Sequence, residues 1–571
     1  MKRILRYCKP VWPLMTLTMI VKFLAAVAEL FIPKILARII DEVVPSGQKG
    51  QIYLWGGVML LFSLFALGGN IFANAMSTKT SADVTCRVRQ DLFTRISYLS
   101  APQVDRLTVS SLVSRLTSDT YYINEMLARI QRIGVRAPIL IIGGILITLT
   151  LDPVLTLVLV CIVPLVFAVV FNITKKSIPI YISEQETLDR LVRVVQENAA
   201  GVRVIKALSK TEHEKARFNA VSDELVAKEK KAGAVMSVSG PSTTLLLNLG
   251  LCAVIVVGAF RVNAGLSQPG KILAFLTYFT IILHAMIIMT RIYVQLSRSV
   301  ASARRISEVL ETTEERPILP SDPIQTDAHV LFDHVSFSYN KREDNLQDIS
   351  FALKRGQTLG IIGPTGSGKS TLVQLLLRFY DPDKGAVRID GEDIRSIPFD
   401  RLRQKFGVVF QSDFVMSATL AENMAFLRDI DREALTRAAT HAQASLIINA
   451  KEGGLDAPVT SRGTNLSGGE RQRVLLGRAL AGDPEILILD DSSSALDYKT
   501  DLELRLALHR HYRHTTSVII AQRVSSIKHA DHILVLDDGK VIGQGTHEHL
   551  LANCPSYAEI ARVQMGGVSY A

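Results

Sequence analysis

In the stretch TLGIIGPTGSGKST, residues 358–371, an apolar run ends on the spacing G-x-x-x-x-G-K-S. Gly363, Pro364, Thr365, Gly366, Ser367 and Gly368 make a loop whose glycines let backbone N–H groups turn inward. Such a loop cradles phosphate oxygens at the start of the helix that follows. Lys369 adds a point charge for β- and γ-phosphates, Ser370 a hydroxyl for Mg²⁺, and Thr371 leads into the helix. A second stretch, LILDDSSSALD, carries an apolar run from Ile486 into two adjacent carboxylates, Asp490 and Asp491. Sites that cleave ATP usually follow the first aspartate of such a run with a glutamate. Here the second acid is one methylene shorter. The loop by itself says only "nucleotide".

These groups need a scaffold. The loop requires a buried strand before it and a helix after it, and the periodic LVQLLLRF that follows supplies the helix. The chain around them is uneven. It has 571 residues, 48% of them hydrophobic, with mean hydropathy +0.25. Long apolar runs crowd residues 11 to about 295, and everything after about 300 reads as ordinary mixed α/β sequence. Six runs, at 13–36, 53–77, 133–151, 154–174, 243–262 and 272–293, are near the ~20 residues that cross a bilayer. The third and fourth meet at Asp152-Pro153, a hairpin with almost no loop. Lys2, Arg3, Arg6 and Lys9 precede the first run, and segments 79–132 and 175–242 carry 8 and 12 Lys or Arg. The first outer loop, 41–52, carries only Lys49. The positive-inside rule therefore puts the N-terminus, both long loops and the C-terminal domain in the cytoplasm of a multi-pass protein of the cell membrane.

The small residues Ala26 to Ala28 after a basic start imitate a signal-peptidase site. Lys22 interrupts that run and apolar character resumes at Leu30, so we read it as a first transmembrane helix. The net charge of +10 is concentrated in the two cytoplasmic loops, where lipid and topology account for it, and no nucleic-acid motif accompanies it. The five cysteines (Cys8, Cys86, Cys161, Cys252, Cys554) are scattered, with neither a C-x-x-C pair nor a His cluster at metal spacing.

The company the phosphate loop keeps narrows the reading. The segment from about 328 to 571 resembles the ATP-binding cassette (ABC) family. Tyr339, in VSFSY, lies where that family stacks an aromatic on adenine. Gln411, in VVFQ, matches the glutamine that contacts Mg²⁺ and couples the cassette to the membrane domain. Leu466, Ser467, Gly468, Gly469 and Glu470 match the signature, which binds the γ-phosphate held by an opposing cassette. Ile486 to Asp490 matches the Walker B strand with its Mg²⁺-linked aspartate, and Ser494 to Asp497 the D-loop. The resemblance implies that ATP, with Mg²⁺ held by Ser370, Gln411 and Asp490, sits between one chain's P-loop and another chain's signature. A chain with one cassette must then pair.

The membrane half is similar to an ABC exporter half-transporter of the type IV arrangement. SSLVSRLTSD, Ser110 to Asp119, and VVQENAAGVRVIKALSKTEHEKARF, Val194 to Phe218, resemble its two intracellular loops, expected as helical extensions capped by short coupling helices. The implied fold is a six-helix membrane domain with long cytoplasmic helical extensions (1–310), a linker (311–327) and an α/β P-loop cassette (328–571). Two departures stand out. Asp491 replaces the glutamate that positions or deprotonates water. Gln522, in IIAQRVS, replaces the switch histidine and cannot become a cation. A lesser departure is Ser461, at a position where exporters usually show glutamate. Altered residues beside an intact signature resemble the degenerate-site subunit of heterodimeric bacterial multidrug exporters. The expected partner is a second, different half-transporter, whose P-loop this chain's signature completes.

Polar residues punctuate the spans: Lys22 and Glu29 in the first, Asn70 and Asn74 in the second, Asn248 in the fifth, His284 and Arg291 in the sixth. Lys22, Glu29 and His284 either line a substrate path or serve structurally, tying helices together or sitting near an interface. A hydrophobic or amphipathic substrate is the family default. Alternatives that stay open are a homodimeric lipid or drug flippase with slow ATPase, an importer on the same fold, and an ATP-switched regulatory subunit.

Overall fold

The computed structural model describes residues 2–313, 317–492 and 496–564, apart from the side chains of residues 2, 170, 174, 239, 290–295 and 297. Arg291, Ser494 and Ala495 of the motifs above therefore lie outside the described residues. The chain forms two compact units: Met1–Tyr98 with Leu107–Thr312, and Leu99–Arg106 with Thr313–Ala571.

The first unit is helical. Six stretches are long and apolar enough to cross a membrane: Arg3–Val43, Lys49–Ser97, Val109–Leu151, Pro153–Ala207, Thr211–Asn263 and Pro269–Met289, here spans 1 to 6. Span 6 continues as helix to Glu311. The segments read as cytoplasmic loops are helical almost throughout. The hairpin between spans 3 and 4 turns on Asp152. Its carboxylate accepts from Val154 N (3.0 Å) and Leu155 N (3.3 Å) and takes the Arg261 guanidinium at 2.9 Å. Pro153 at the first helical position loses no hydrogen bond there. Asp119, fully buried, accepts from Ser302 Oγ (2.9 Å) and Arg305 Nε (2.7 Å), which locks the SRLTSD segment against the extension of span 6. In the second intracellular loop no separate coupling helix forms. The chain reverses at Leu208–Lys210, with Ser209 left-handed (φ 52°) and Lys210 N bonded back to Ile205 O, and span 5 starts at once.

In the second unit, strands β1 (Val330–Phe337), β2 (Leu346–Leu353), β4 (Lys384–Ile389) and β5 (Glu392–Asp393) form an antiparallel sheet ordered β2-β1-β4-β5. A six-stranded sheet has the order β12-β11-β3-β10-β9-β6. It is built from β3 (Thr358–Ile362), β6 (Phe406–Val409), β9 (Ile486–Asp490), β10 (Thr516–Ile520), β11 (His532–Asp537) and β12 (Lys540–Gly545). A short pair, β7 (Ala418–Thr419) and β8 (Pro458–Val459), stands apart. All but the β11–β12 pairing in the large sheet are parallel. Strand β9, buried at every residue, shows the unbroken apolar run that a parallel strand covered on both faces requires. One apolar core joins the two sheets, with Phe332 and Phe351 stacked at 4.6 Å. The short helix α1 (Ala101–Leu107) opens in the Leu99–Arg106 part of this unit. Ala101 packs on the core, Gln103 Nε2 donates to Thr313 O at 3.1 Å, and the Tyr380 hydroxyl bonds to Asp105.

Candidate functional site

Register in the parallel sheet creates the site. Ile361, Ile520 and Asp490 lie level on adjacent strands β3, β10 and β9, with Val409 of β6 one step behind. The residues just past these levels therefore leave the sheet at one edge, the carboxyl ends of the strands, where open α/β sheets bind ligands. Gly363–Gly368 follows β3, Gln522 follows β10, Asp491 follows β9 and Gln411 follows β6. A pocket at this edge is lined by Thr365, Gly366, Gly368, Lys369, Ser370, Thr371, Gln411, Asp490, Asp491 and Gln522, with Asn345 and Ile520. Leu466–Glu470 is not part of that lining.

The loop is shaped by what its glycines exclude. A Cβ on Gly363 would lie 2.1 Å from Leu536 O. Gly368 adopts φ +95° as the N-cap of helix α2 (Lys369–Leu376), a conformation L side chains rarely take. The Lys369 ammonium donates to Gly363 O (2.9 Å) and Pro364 O (2.7 Å). Ser370 Oγ donates to Asp490 Oδ2 at 3.1 Å. Ser367 Oγ, buried, has no hydrogen-bond partner among the described residues, an orphaned polar atom in the loop that an anion's oxygen would satisfy. Burial pushes the Asp490 carboxyl up, with Asp491 adding and Ser370 and Lys369 opposing. Burial also raises Asp491 and lowers Lys369, so the charges here are poorly solvated and await a partner.

The two departures touch. Gln522 Nε2 donates to Asp491 Oδ2 at 3.1 Å, and Asp491 itself sits at φ 49° with its N–H on Ile520 O at 3.0 Å. Aspartate tolerates that left-handed backbone better than most residues. Behind Gln522 stands Gln564, which the sequence does not single out. Its Nε2 donates to Gln522 O (2.9 Å) and its Oε1 accepts from Val524 N (2.7 Å), so one amide brackets the switch loop. No sequence spacing marks it, because it lies 42 residues away on the last described helix.

Tyr339 stands at the rim. Its hydroxyl donates to Gln374 Oε1 (2.6 Å) and approaches Thr371 Oγ1 (3.3 Å), and its half-exposed ring leans edge-on against Phe337 and Tyr380. Ser467 begins helix α3 (Gly468–Leu480). Its Oγ accepts from Glu470 N (3.2 Å) while Glu470 Oε2 accepts from Ser467 N (2.7 Å), a capping box that holds Glu470 below the usual carboxylate range. Leu466 packs into the adjoining core, and nothing lies within 4 Å of a Cβ placed on Gly468. Asp497 caps helix α4 (Tyr498–His511) through Thr500 N at 3.0 Å. Ser461 opens a single helical turn ahead of the signature.

In the membrane unit the candidates separate. Buried Lys22 donates to Asn70 Oδ1 (2.6 Å) and Asn74 Oδ1 (3.1 Å), tying span 1 to span 2. Glu29 accepts two bonds from Arg136 of span 3, at 2.6 and 3.2 Å, and both line a cavity with His284. The asparagines and Arg136 are partners that seven-residue spacing between Lys22 and Glu29 does not reveal.

A phosphate loop, a Walker B strand and a signature helix on this sheet define an ATP-binding cassette fused to a six-span membrane domain. Two family models match: "ABC transporter transmembrane region" over residues 15–286 and "ABC transporter" over 346–494. The chain is 32% identical over 568 residues to the ABC transporter ATP-binding protein YfiB of Bacillus subtilis, covering 99% of each. It is 31% identical over 477 residues to the "Fatty acid ABC transporter ATP-binding/permease protein" of Mycobacterium tuberculosis, covering 83% of this chain and 76% of that one. Its fold is that of a solved bacterial Atm1-family ABC exporter with ATP bound, at TM-score 0.80 and 24% identity over 98% of each chain. The chain belongs to the ABC transporters: a multi-pass membrane protein, with its cassette on the cytoplasmic side, that couples ATP hydrolysis to transport.

Proposed function

We propose that this chain is one half of a heterodimeric exporter of hydrophobic or amphipathic substrates, whose own ATP site is degenerate. The carrying observation is the 3.1 Å contact between Asp491 and Gln522, the two positions that depart from the hydrolytic pattern. A carboxylate set back by one methylene, roughly 1–1.5 Å, costs on the order of 100-fold in rate when it must hold a water. The Gln522 amide also holds that carboxylate on its donor nitrogen and cannot become a cation as a histidine can.

In this reading the P-loop, Thr365 to Thr371, holds the phosphates, with Lys369 leaving its loop carbonyls for the β/γ oxygens and Tyr339 against the base. Ser370, Asp490 and Gln411 fit a Mg²⁺ ion, an all-oxygen set in one pocket. When bound there, Mg²⁺ would supply charge neutralisation for the phosphates. Asp491 orients water weakly, so the site holds ATP longer than it cleaves it. Leu466–Glu470 serves the partner's site in trans: its polar atoms lie outside the pocket of its own chain, and Gly468 is open.

The experiment is the composition of the native complex, by mass spectrometry of the gently extracted assembly. A second half-transporter in one-to-one ratio upholds the reading. Two copies of this 62.8 kDa chain and nothing else would replace it with a slow homodimer.

A further inference from the structure

Glu29, Arg136 and His284 meet at one membrane level. They lie 14 residues from Val43, 15 from Leu151 and 15 from Pro269, the outer ends of spans 1, 3 and 6. At 1.5 Å per residue each is about 21–23 Å in from the outer end. They line a cavity of about 560 Å³ whose remaining wall is largely aliphatic, with Leu140 on one side and Thr277 and Thr280 on the other. That volume falls in the range of small-molecule sites, roughly 300–1,000 Å³.

The polar groups are unequal in sign. Nε and one terminal nitrogen of Arg136 are committed to Glu29, and the other terminal nitrogen has no hydrogen bond among the described residues. Thr277 and Thr280 spend their hydroxyl protons on Leu273 O and Leu276 O, and His284 Nδ1 faces Thr280 O at 3.0 Å. One to two turns further in, Lys22 rests on two neutral amides and Arg132 on the hydroxyls of Ser77 and Thr78. Among the described residues three cations thus stand against one carboxylate. Glu29 is neutralised already and offers a cation nothing, whereas an incoming anion finds uncompensated positive charge.

We infer that this cavity binds an acidic amphiphile, one anionic head on an apolar chain, whose head group takes Arg136 over from Glu29. The inference rests on the reading of the chain as an exporter of amphipathic substrates and names their charge. Binding of radiolabelled oleate to the intact complex in phosphatidylcholine nanodiscs, without ATP, tests it. Arg136→Gln should weaken oleate binding at least about tenfold, the loss expected for a hydrogen bond to a charged group. Glu29→Gln should tighten it, since the competing carboxylate is gone, and this opposite sign separates recognition from misfolding. Equal oleate affinity in both variants and the parent would overturn the site, as would tetraphenylphosphonium binding that Glu29→Gln abolishes. Phosphatidylglycerol nanodiscs that displace oleate would assign the head group to a membrane lipid; undiminished oleate binding there would assign it to the free acid, and either upholds the site. ATP-driven uptake into inside-out vesicles tests export separately. Oleate that binds but does not move leaves the site and sinks the export reading; neutral amphiphiles that move while oleate fails to bind do the reverse.

Discussion

The nucleotide pocket and the signature helix belong to one cassette and are built on opposite terms. In the signature, Ser467 and Glu470 satisfy each other in a closed capping box, and the residue types match the family throughout. In the pocket, Ser367 Oγ has no partner among the described residues, Lys369 leans on its own loop, and the carboxylates are raised by burial. The signature is complete without a ligand, whereas the pocket is a set of charges organised around one. The residues that depart from the family pattern, Asp491 and Gln522, lie in the pocket, where a substitution alters turnover without unfolding a helix. Under the proposed function, a subunit that presents its signature to a partner would tolerate that.

The largest effect should come from Asp491→Glu, which returns the carboxylate toward water and should raise single-turnover hydrolysis at this site by on the order of 100-fold. Because Asp491 and Gln522 are bonded, Gln522→His combined with it should depart from the product of the two single effects; strict additivity would deny that they act as a unit. Gln564→Ala should come next. It removes both amide bonds from the switch loop, about 1 kcal/mol each, and slows turnover several-fold with nucleotide affinity little changed. Gln564→Glu, which keeps the acceptor for Val524 N, should recover part of the rate. Ser467→Ala on the other surface should lower full-chain stability by about 1 kcal/mol in thermal melts, the ordinary worth of a helix cap. Its effect on hydrolysis should fall on the partner's site.

The smallest effect separates the two regions by sign. Glu470 is depressed by the Ser467 N–H, so its stabilisation is present above its unfolded pKa of about 4.3 and is lost as pH falls through its folded value. Asp490 and Asp491 are raised, so their contribution becomes more favourable as pH falls through their folded values toward about 3.9. In melts between pH 6 and 3, Glu470→Gln should flatten a loss of stability on acidification, and Asp490→Asn should flatten a gain. The same sign for both would break the contrast.

Much was legible in advance because it is local. Six apolar runs at bilayer length, the Asp152-Pro153 cap and the glycine spacing of residues 363–368 are each set by near neighbours in the chain. The expected second coupling helix was not, since Ser209 in a left-handed turn lets span 5 begin immediately. Likewise the even choice between path and tie for the membrane charges separated only when Lys22 was found on Asn70 and Asn74 and Glu29 on Arg136.

What the sequence determined by itself is which chemistry is present: a phosphate loop, a signature, a shortened acid, a switch without an imidazole. Residue type and spacing carry that information because hydrogen-bonding capacity and backbone freedom are properties of single residues. Tertiary structure alone decided which of them meet. Asp491 faces Gln522 because β9 and β10 are neighbours in parallel register, Gln564 reaches the switch loop because the last helix folds back onto it, and Arg136 disarms Glu29 because spans 1 and 3 pack side by side.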